Sequence, residues 1–301
     1  MYAFDFHSPV EKLDFPLFDE KGLTVHIKRD DLIHPFISGN KWRKLKYVLQ
    51  AAKALGKGHL VTFGGAWSNH LLAVACAGAK FGFKTTGFIR GERASNPNLS
   101  LCRVFGMELR FVDRASYGDK PALYERYFAG DSAVCFVDEG GYGVEGAKGC
   151  AEIFDELPRT YDHVFCACGT GTTLAGLCMG KISNRLDTKL HGIPVLADGS
   201  FIAAAVADLY PGSATDDIVL HTGYHFGGYA KTRPELDAFI RRFCAATGIL
   251  IEPVYTGKLF YGIFDLASRD YFHRGETILA IHTGGLTGIL GMHERLGNVE
   301  N

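Results

Sequence analysis

The sequence predicts an α/β fold built on a mostly parallel sheet with helices on both faces. Strand-like and helix-like segments alternate through most of the 301 residues, the pattern of parallel strands joined by helical crossovers. Several of those strands run straight into glycine-bearing polar turns, which is where ligands bind in open α/β sheets. The composition, 47% hydrophobic and 22% charged, is that of an ordinary globular protein, and the length allows two core-bearing lobes or one large domain.

The net charge of -1 supplies no global field for nucleic acid or an anionic membrane. Residues 1–7 lack the basic start and apolar core of a signal peptide, and the longest apolar run, 71–79, is too short to span a bilayer. A cytoplasmic protein is expected, with no nucleic-acid or membrane partner.

The elements follow in order. Residues 25–29 read as a strand, and a helix after Gly39 places Trp42, Leu45, Val48, Leu49 and Ala52 on one face. Strand 59–63 enters a Gly-Gly turn and a helix over 69–81. Strand 84–89, helix 97–105, strand 108–112, helix 121–128 and strand 133–137 come next. A helix over 144–157 leads to strand 163–167, which enters a second glycine-rich loop, and 190–196 and 277–282 read as further strands. No repeat or long linker divides the chain. A second domain is therefore embedded where the chain leaves the main sheet and returns.

The eight cysteines, at 76, 102, 135, 150, 166, 168, 178 and 244, fall mostly inside predicted strands and helices, where a thiol behaves as a small apolar group. Cys166 and Cys168 have neither zinc nor thioredoxin spacing. His221 and His225 are four apart, but the glycines around them argue against a helix that would make them a metal pair. No metal is expected.

Ser38-Gly39-Asn40-Lys41 sets one lysine at the mouth of a helix, where partial desolvation lowers its pKa and frees the amine to attack a carbonyl. The competing reading makes Lys41, Arg43, Lys44 and Lys46 a solvated basic face. Gly64-Gly65-Ala66-Trp67-Ser68-Asn69-His70 is either a capped turn or a carboxylate site at a helix start. Gly169-Thr170-Gly171-Thr172-Thr173 offers backbone N–H groups and hydroxyls to a phosphate. It lacks the P-loop lysine and carries Leu174 where a dinucleotide fingerprint needs glycine. Val254-Tyr255-Thr256-Gly257-Lys258 and His282-Thr283-Gly284-Gly285 each end an extended segment with Thr-Gly.

Taken together and in this order, these motifs resemble the 1-aminocyclopropane-1-carboxylate deaminase and D-cysteine desulfhydrase family, within the tryptophan-synthase-β-like, fold-type II pyridoxal phosphate enzymes. The likeness runs from about residue 25 to 291. It implies two open, twisted, mostly parallel sheets with pyridoxal 5′-phosphate between two lobes: 1–51 with 149–301 as the large cofactor-binding domain, and 52–148 as the small one. It also implies a homodimer.

By position, the resemblance makes Lys41 the lysine that binds the cofactor aldehyde and gives Lys44 to the phosphate, with residues 169 to 173. Asn69 goes to the cofactor's phenolic oxygen. Ser68 binds the substrate carboxylate or acts on the substrate, Tyr229 and Tyr255 line the pocket, and Thr256 faces the pyridine nitrogen. Thr256 and Thr283 form the desulfhydrase-like combination, where ring-opening deaminases carry Glu and Leu. A neutral hydroxyl makes the ring a weaker electron sink than a carboxylate does. That suffices for β-elimination from D-cysteine, with Lys41 as the first candidate for the base, giving pyruvate, ammonia and sulfide.

Trp67, where many relatives have Gln, narrows or redirects the pocket, and Ser38 replaces a common glycine. The alternatives are the deaminase itself, a dehydratase or β-replacement enzyme, and a non-catalytic cofactor carrier. A nicotinamide oxidoreductase lacks its acidic residue after the glycine loop.

Overall fold

The computed structural model of the chain describes residues 6–211, 218–292 and 296. Its strands form two sheets. The larger has the order β1-β2-β10-β7-β8-β9, where β1 is Val10–Lys12, β2 Thr24–Lys28, β7 His163–Cys168, β8 Lys189–Pro194, β9 Ile218–Leu220 and β10 Thr277–Ile281. Only the β1–β2 pair is antiparallel. The smaller sheet, β5-β4-β3-β6, is wholly parallel. It contains β3 (His59–Gly64), β4 (Lys84–Arg90), β5 (Glu108–Val112) and β6 (Val134–Val137).

Central strands are buried throughout because helices cover both faces. In β10, Ile278 and Ala280 enter one core while Leu279 and Ile281 enter another across the sheet. In β3, Leu60 packs on one side and Val61 and Phe63 on the other. Period-2 alternation thus feeds two apolar layers per sheet, and the strands read as continuous apolar runs in the sequence.

The expected strands all form, with ends displaced by a residue or two. The expected helix 144–157 is shorter: α7 spans Val144–Ala151 and a single 3-10 turn, Phe154–Glu156, follows it. That turn presents Glu156 to α2 (Asn40–Ala54).

The solvated-basic-face reading of α2 is overturned. Arg43 is 1% exposed. It donates from Nε and Nη2 to the Asp30 carboxylate at 2.6 and 2.7 Å, and from Nη1 and Nη2 to Glu156 at 2.8 Å each. Lys28 reaches the same Glu156 at 2.7 Å, and Lys46 reaches Glu152 at 2.7 Å. Despite burial, the guanidinium holds the Asp30 and Glu156 carboxyls below their usual range. The basic run looks like a surface in one dimension because its acids come from elsewhere in the chain.

Packing around α2 is close because small residues permit it. A Cβ on Gly149 of α7 would lie 1.9 Å from the Arg43 carbonyl oxygen, and one on Gly176 of α8 (Thr172–Ser183) would lie 2.4 Å from the Ala147 carbonyl oxygen. The helix α7 is therefore sandwiched between α2 and α8.

All eight cysteines are free, and among the described residues no cluster of three or more His, Cys, Asp or Glu forms a metal site. His221 pairs with His191 at 3.0 Å, not with His225, and His191 pairs onward with His163 at 2.9 Å. Among the described residues no helix is long and apolar enough to cross a membrane.

Replacing Arg43 with Met strands the wholly buried Asp30 carboxylate and takes one of two cations from Glu156, which keeps Lys28. Urea denaturation at pH 7 should show a loss of about 3–5 kcal/mol. The pH dependence has a definite sign. Asp30 and Glu156 have depressed folded pKa values, so their stabilisation is complete above the unfolded values of 3.8 and 4.5 and fades as pH falls through the folded ones. The stability gap between wild type and Arg43→Met should accordingly shrink in acid.

Candidate active site

A cavity of about 890 Å³ opens at the carboxyl ends of β3, β4, β6, β7 and β10. Lys41, Lys44, Ser68, Asn69, Gly169, Thr170, Gly171, Thr173, Tyr229, Tyr255 and Thr283 all line it. Thr172 and Thr256 do not. Thr172 turns its hydroxyl to Thr170 at 3.0 Å. The Thr256 hydroxyl accepts from the Glu252 backbone N–H at 2.9 Å and faces the Glu252 carboxylate at 3.3 Å. The structure sets the Thr256 hydroxyl against a buried acid four residues earlier.

Lys41 and Lys44 lie one turn apart on α2, and both Nζ atoms donate to the Gly140 carbonyl oxygen, at 3.1 and 3.3 Å. Among the described residues neither has a carboxylate in ion-pair range. Burial drives the Lys41 pKa well below that of an ordinary lysine, and the nearby Lys44 charge lowers it further. Burial lowers Lys44 as well. Two under-neutralised amines on one carbonyl leave room for an anion, and the lowered pKa of Lys41 favours its nucleophilic form relative to an ordinary lysine.

The backbone around them is tightly drawn. Gly39 has φ +59° and ψ -135°, and a Cβ there would lie 1.8 Å from the Thr283 carbonyl oxygen. That oxygen accepts from Asn40 N at 3.3 Å. The Asn40 side chain donates to Thr173 Oγ1 at 3.1 Å, joining the start of α2 to the start of α8. Gly171 (φ +83°) turns the 169–173 loop into that helix, so backbone N–H groups open onto the cavity.

Ser68 does what the simpler reading asks: it caps α3 (Asn69–Phe81), its Oγ accepting from Leu71 N at 3.3 Å. Asn69 Oδ1 accepts from Thr287 Oγ1 at 2.7 Å, leaving Nδ2 as the free donor. Tyr229 and Tyr255 meet edge to face at 6.0 Å, and burial is the main reason both phenols are raised. The indole of Trp67 is 39% exposed beside the cavity, and a Cβ on Gly291 would lie 2.9 Å from its ring. The segment after β10 thus closes against Trp67 instead of leaving it free.

Sequence reasoning missed the segment after β6, Asp138-Glu139-Gly140-Gly141, which supplies the shared carbonyl and two cavity carboxylates. The signal was present, since it is a strand followed by Gly-Gly, like 63–65. It also missed Lys258, wholly buried at the start of α11 (Thr256–Ser268). Its Nζ donates to the carbonyls of His225, Gly228 and Val195 at 2.8, 2.8 and 3.3 Å, tying down the loop that carries Tyr229. Burial lowers it to about 8.

The family described as "Pyridoxal-phosphate dependent enzyme" matches residues 6–284. A 1-aminocyclopropane-1-carboxylate deaminase of Mesorhizobium japonicum is 31% identical over 94% of each chain. A bifunctional D-cysteine desulfhydrase/1-aminocyclopropane-1-carboxylate deaminase of Arabidopsis thaliana, a mitochondrial protein, is 27% identical over 97% of this chain and 79% of its own. Among solved structures, an ACC deaminase homologue superposes with a TM-score of 0.85 at 30% identity, covering 97% of this chain and 93% of the other.

The Gly39–Thr283 contact yields a test. Gly39→Ala forces a side chain onto a carbonyl at a positive φ, so it should destabilise the chain by roughly 3 kcal/mol or more in chemical denaturation. A change below about 1 kcal/mol would mean that the two segments separate freely.

Proposed function

This chain belongs to the pyridoxal-phosphate dependent enzyme family, in its 1-aminocyclopropane-1-carboxylate deaminase and D-cysteine desulfhydrase group, and we propose that it catalyses β-elimination from D-cysteine. The observation that carries the reading is the pair of cavity lysines on one carbonyl, opposite a Gly-Thr loop at a helix start. The donor set fits the cofactor. Gly169 is a cradle that a side chain would fill, since a Cβ there would lie 3.2 Å from the Tyr255 ring, and Lys44 with the loop N–H groups complements a phosphate dianion.

When bound, pyridoxal 5′-phosphate supplies an aldehyde that condenses with an amine and a conjugated ring that accepts the electron pair left by a departing Cα proton. The chain's own groups do the rest. Lys44 and residues 169 to 173 hold the phosphate. Lys41, whose pKa burial lowers, would hold the aldehyde and, when freed by the substrate amine, would be the base placed to take the Cα proton. Asn69 donates from Nδ2 to the phenolic oxygen. The Ser68 turn orients the carboxylate, and Tyr229 with Tyr255 walls the side-chain end. As thiolate departs and water enters, D-cysteine gives pyruvate, ammonia and hydrogen sulfide.

The choice of D-cysteine is supported by the neutral threonines at 256 and 283, since neither position supplies a carboxylate to make the ring a stronger electron sink. With Thr256 engaged by Glu252, Thr283 is the one that reaches the cavity. The second reading is ring opening of 1-aminocyclopropane-1-carboxylate to 2-oxobutanoate and ammonia, favoured by the 31% identity to the Mesorhizobium deaminase. We propose further that 1–51 with 149–301 form the large cofactor-binding lobe and 52–148 the small one, that the enzyme is a homodimer, and that it works in the cytoplasm.

The test is the visible spectrum of the loaded protein before and after D-cysteine, with pyruvate and sulfide assayed in the same cuvette. A band shift with pyruvate release is expected, and Lys41→Ala should abolish both the lysine-bound band and turnover. Turnover retained in Lys41→Ala would sink the mechanism. A response only to 1-aminocyclopropane-1-carboxylate would select the second reading, and a band indifferent to both amino acids would select a carrier.

A further inference from the structure

Four side-chain cations other than histidine line the cavity: Lys41, Lys44, Arg90 and Lys120. The first two are accounted for by the cofactor. Lys120 is neutralised by Glu139 at 2.9 Å and Asp138 at 3.7 Å. Arg90, the last residue of β4, is different. Among the described residues no carboxylate lies within ion-pair range of it, and its one close side-chain contact is the Tyr117 ring, 5.6 Å from the guanidinium carbon. Stacking on an aromatic face holds a guanidinium in place without neutralising it.

Its position is informative. A Cβ on Gly65 would lie 3.8 Å from Arg90 Nη2, so the guanidinium stands beside the turn between β3 and α3. That turn is pinned from behind. Asn96 and Asn98 both donate to the Ala66 carbonyl, at 3.1 and 3.2 Å, and Asn98 also donates to the Ser68 carbonyl at 3.3 Å. Asn98 is 1% exposed. The carbonyl oxygens that would repel an anion are thereby bound to amides, and the amides of Asn69 and His70 open the following helix.

We propose that Arg90 is a further binding residue of this site, adding a guanidinium charge to the α-carboxylate position that the Ser68 turn already offers. Arg90 supplies the charge, and Asn96 and Asn98 act as positioning residues for the turn. This deepens, and rests on, the reading of the cavity as a pyridoxal phosphate site for amino acids. Arg90 is exposed at its strand end and belongs to neither core, so replacing it removes a charge without opening a cavity.

The experiment uses the loaded wild-type protein, Arg90→Gln and Arg90→Lys. Each is titrated with D-alanine, L-alanine, D-aspartate and D-alaninamide, which carry no thiolate-like β leaving group, and binding is read by absorbance and calorimetry. The favoured alanine enantiomer should bind about ten- to a hundredfold more weakly to Arg90→Gln, the range of a charged hydrogen bond, and Arg90→Lys should recover part of the loss. D-alaninamide, without a carboxylate, should bind both proteins alike. With D-cysteine, KM should rise while kcat stays within a few-fold.

Equal alanine affinity in wild type and Arg90→Gln would overturn the proposal, as would an equal loss for the amide. A loss confined to D-aspartate would overturn the α-carboxylate placement and assign Arg90 to a side-chain carboxylate. A wild type that binds alanine but releases no pyruvate from D-cysteine rejects the proposed reaction while leaving the carboxylate receptor standing. A wild type that takes the cofactor and binds no alanine overturns the receptor.

Discussion

Lys41 and Lys44 share a single carbonyl oxygen, that of Gly140, and the site depends on that arrangement. Two amines on one neutral acceptor are poorly compensated, and burial raises the penalty for charging them. The arrangement persists because Arg43, between them in sequence, points the opposite way into Asp30 and Glu156 and anchors α2. One helical turn thus carries a fully neutralised cation on its structural side and two under-neutralised ones on its cavity side. The charge the fold leaves unmatched is the charge a phosphate brings.

For that to work, the carbonyl must be delivered accurately. Gly140 sits at φ +71° in the turn after β6, and α7 follows it, wedged between α2 and α8 by glycines that let backbones touch. The same principle sets Gly39 against Thr283, so that the first turn of α2 is registered on the end of β10. The site is therefore an agreement among four strand ends belonging to two sheets. Its precision comes from backbone contact and not from long side chains, which is the more rigid way to hold reacting groups.

This also explains what the sequence disclosed. Central strands were legible because both faces are apolar, and the helix over 69–81 because Ser68 caps it visibly. The three-residue edge strands β1 and β9 are too short to show a period. Lys41, Ser68, Asn69 and the 169–173 loop stood out because each follows a strand and combines glycine with polar residues. Gly140 works through its carbonyl, which no residue type advertises. Arg43 and Lys258 looked like ordinary cations because their partners are 13 and 113, or 30 to 63, residues away. The contact between the Thr256 hydroxyl and Glu252 was hidden too, since a threonine before glycine gives no hint of a buried glutamate beside it.

Glu252 and Lys258 show how the large sheet supports the substrate end. The carboxylate of Glu252 accepts from the backbone N–H groups of Val254, Tyr255 and Thr256 at 2.7, 2.7 and 2.8 Å, while Lys258 donates to three carbonyls. The acid satisfies the unpaired amides at the start of α11, and the lysine satisfies unpaired carbonyls of the neighbouring loop. Neither pairs directly with the other, although the Glu252 charge raises Lys258 against the pull of burial. Between them they fix Tyr255 and Tyr229, one from each segment, edge to face across the cavity wall. The two charges are therefore spent on backbone geometry, and what they present to a substrate is a pair of neutral phenols.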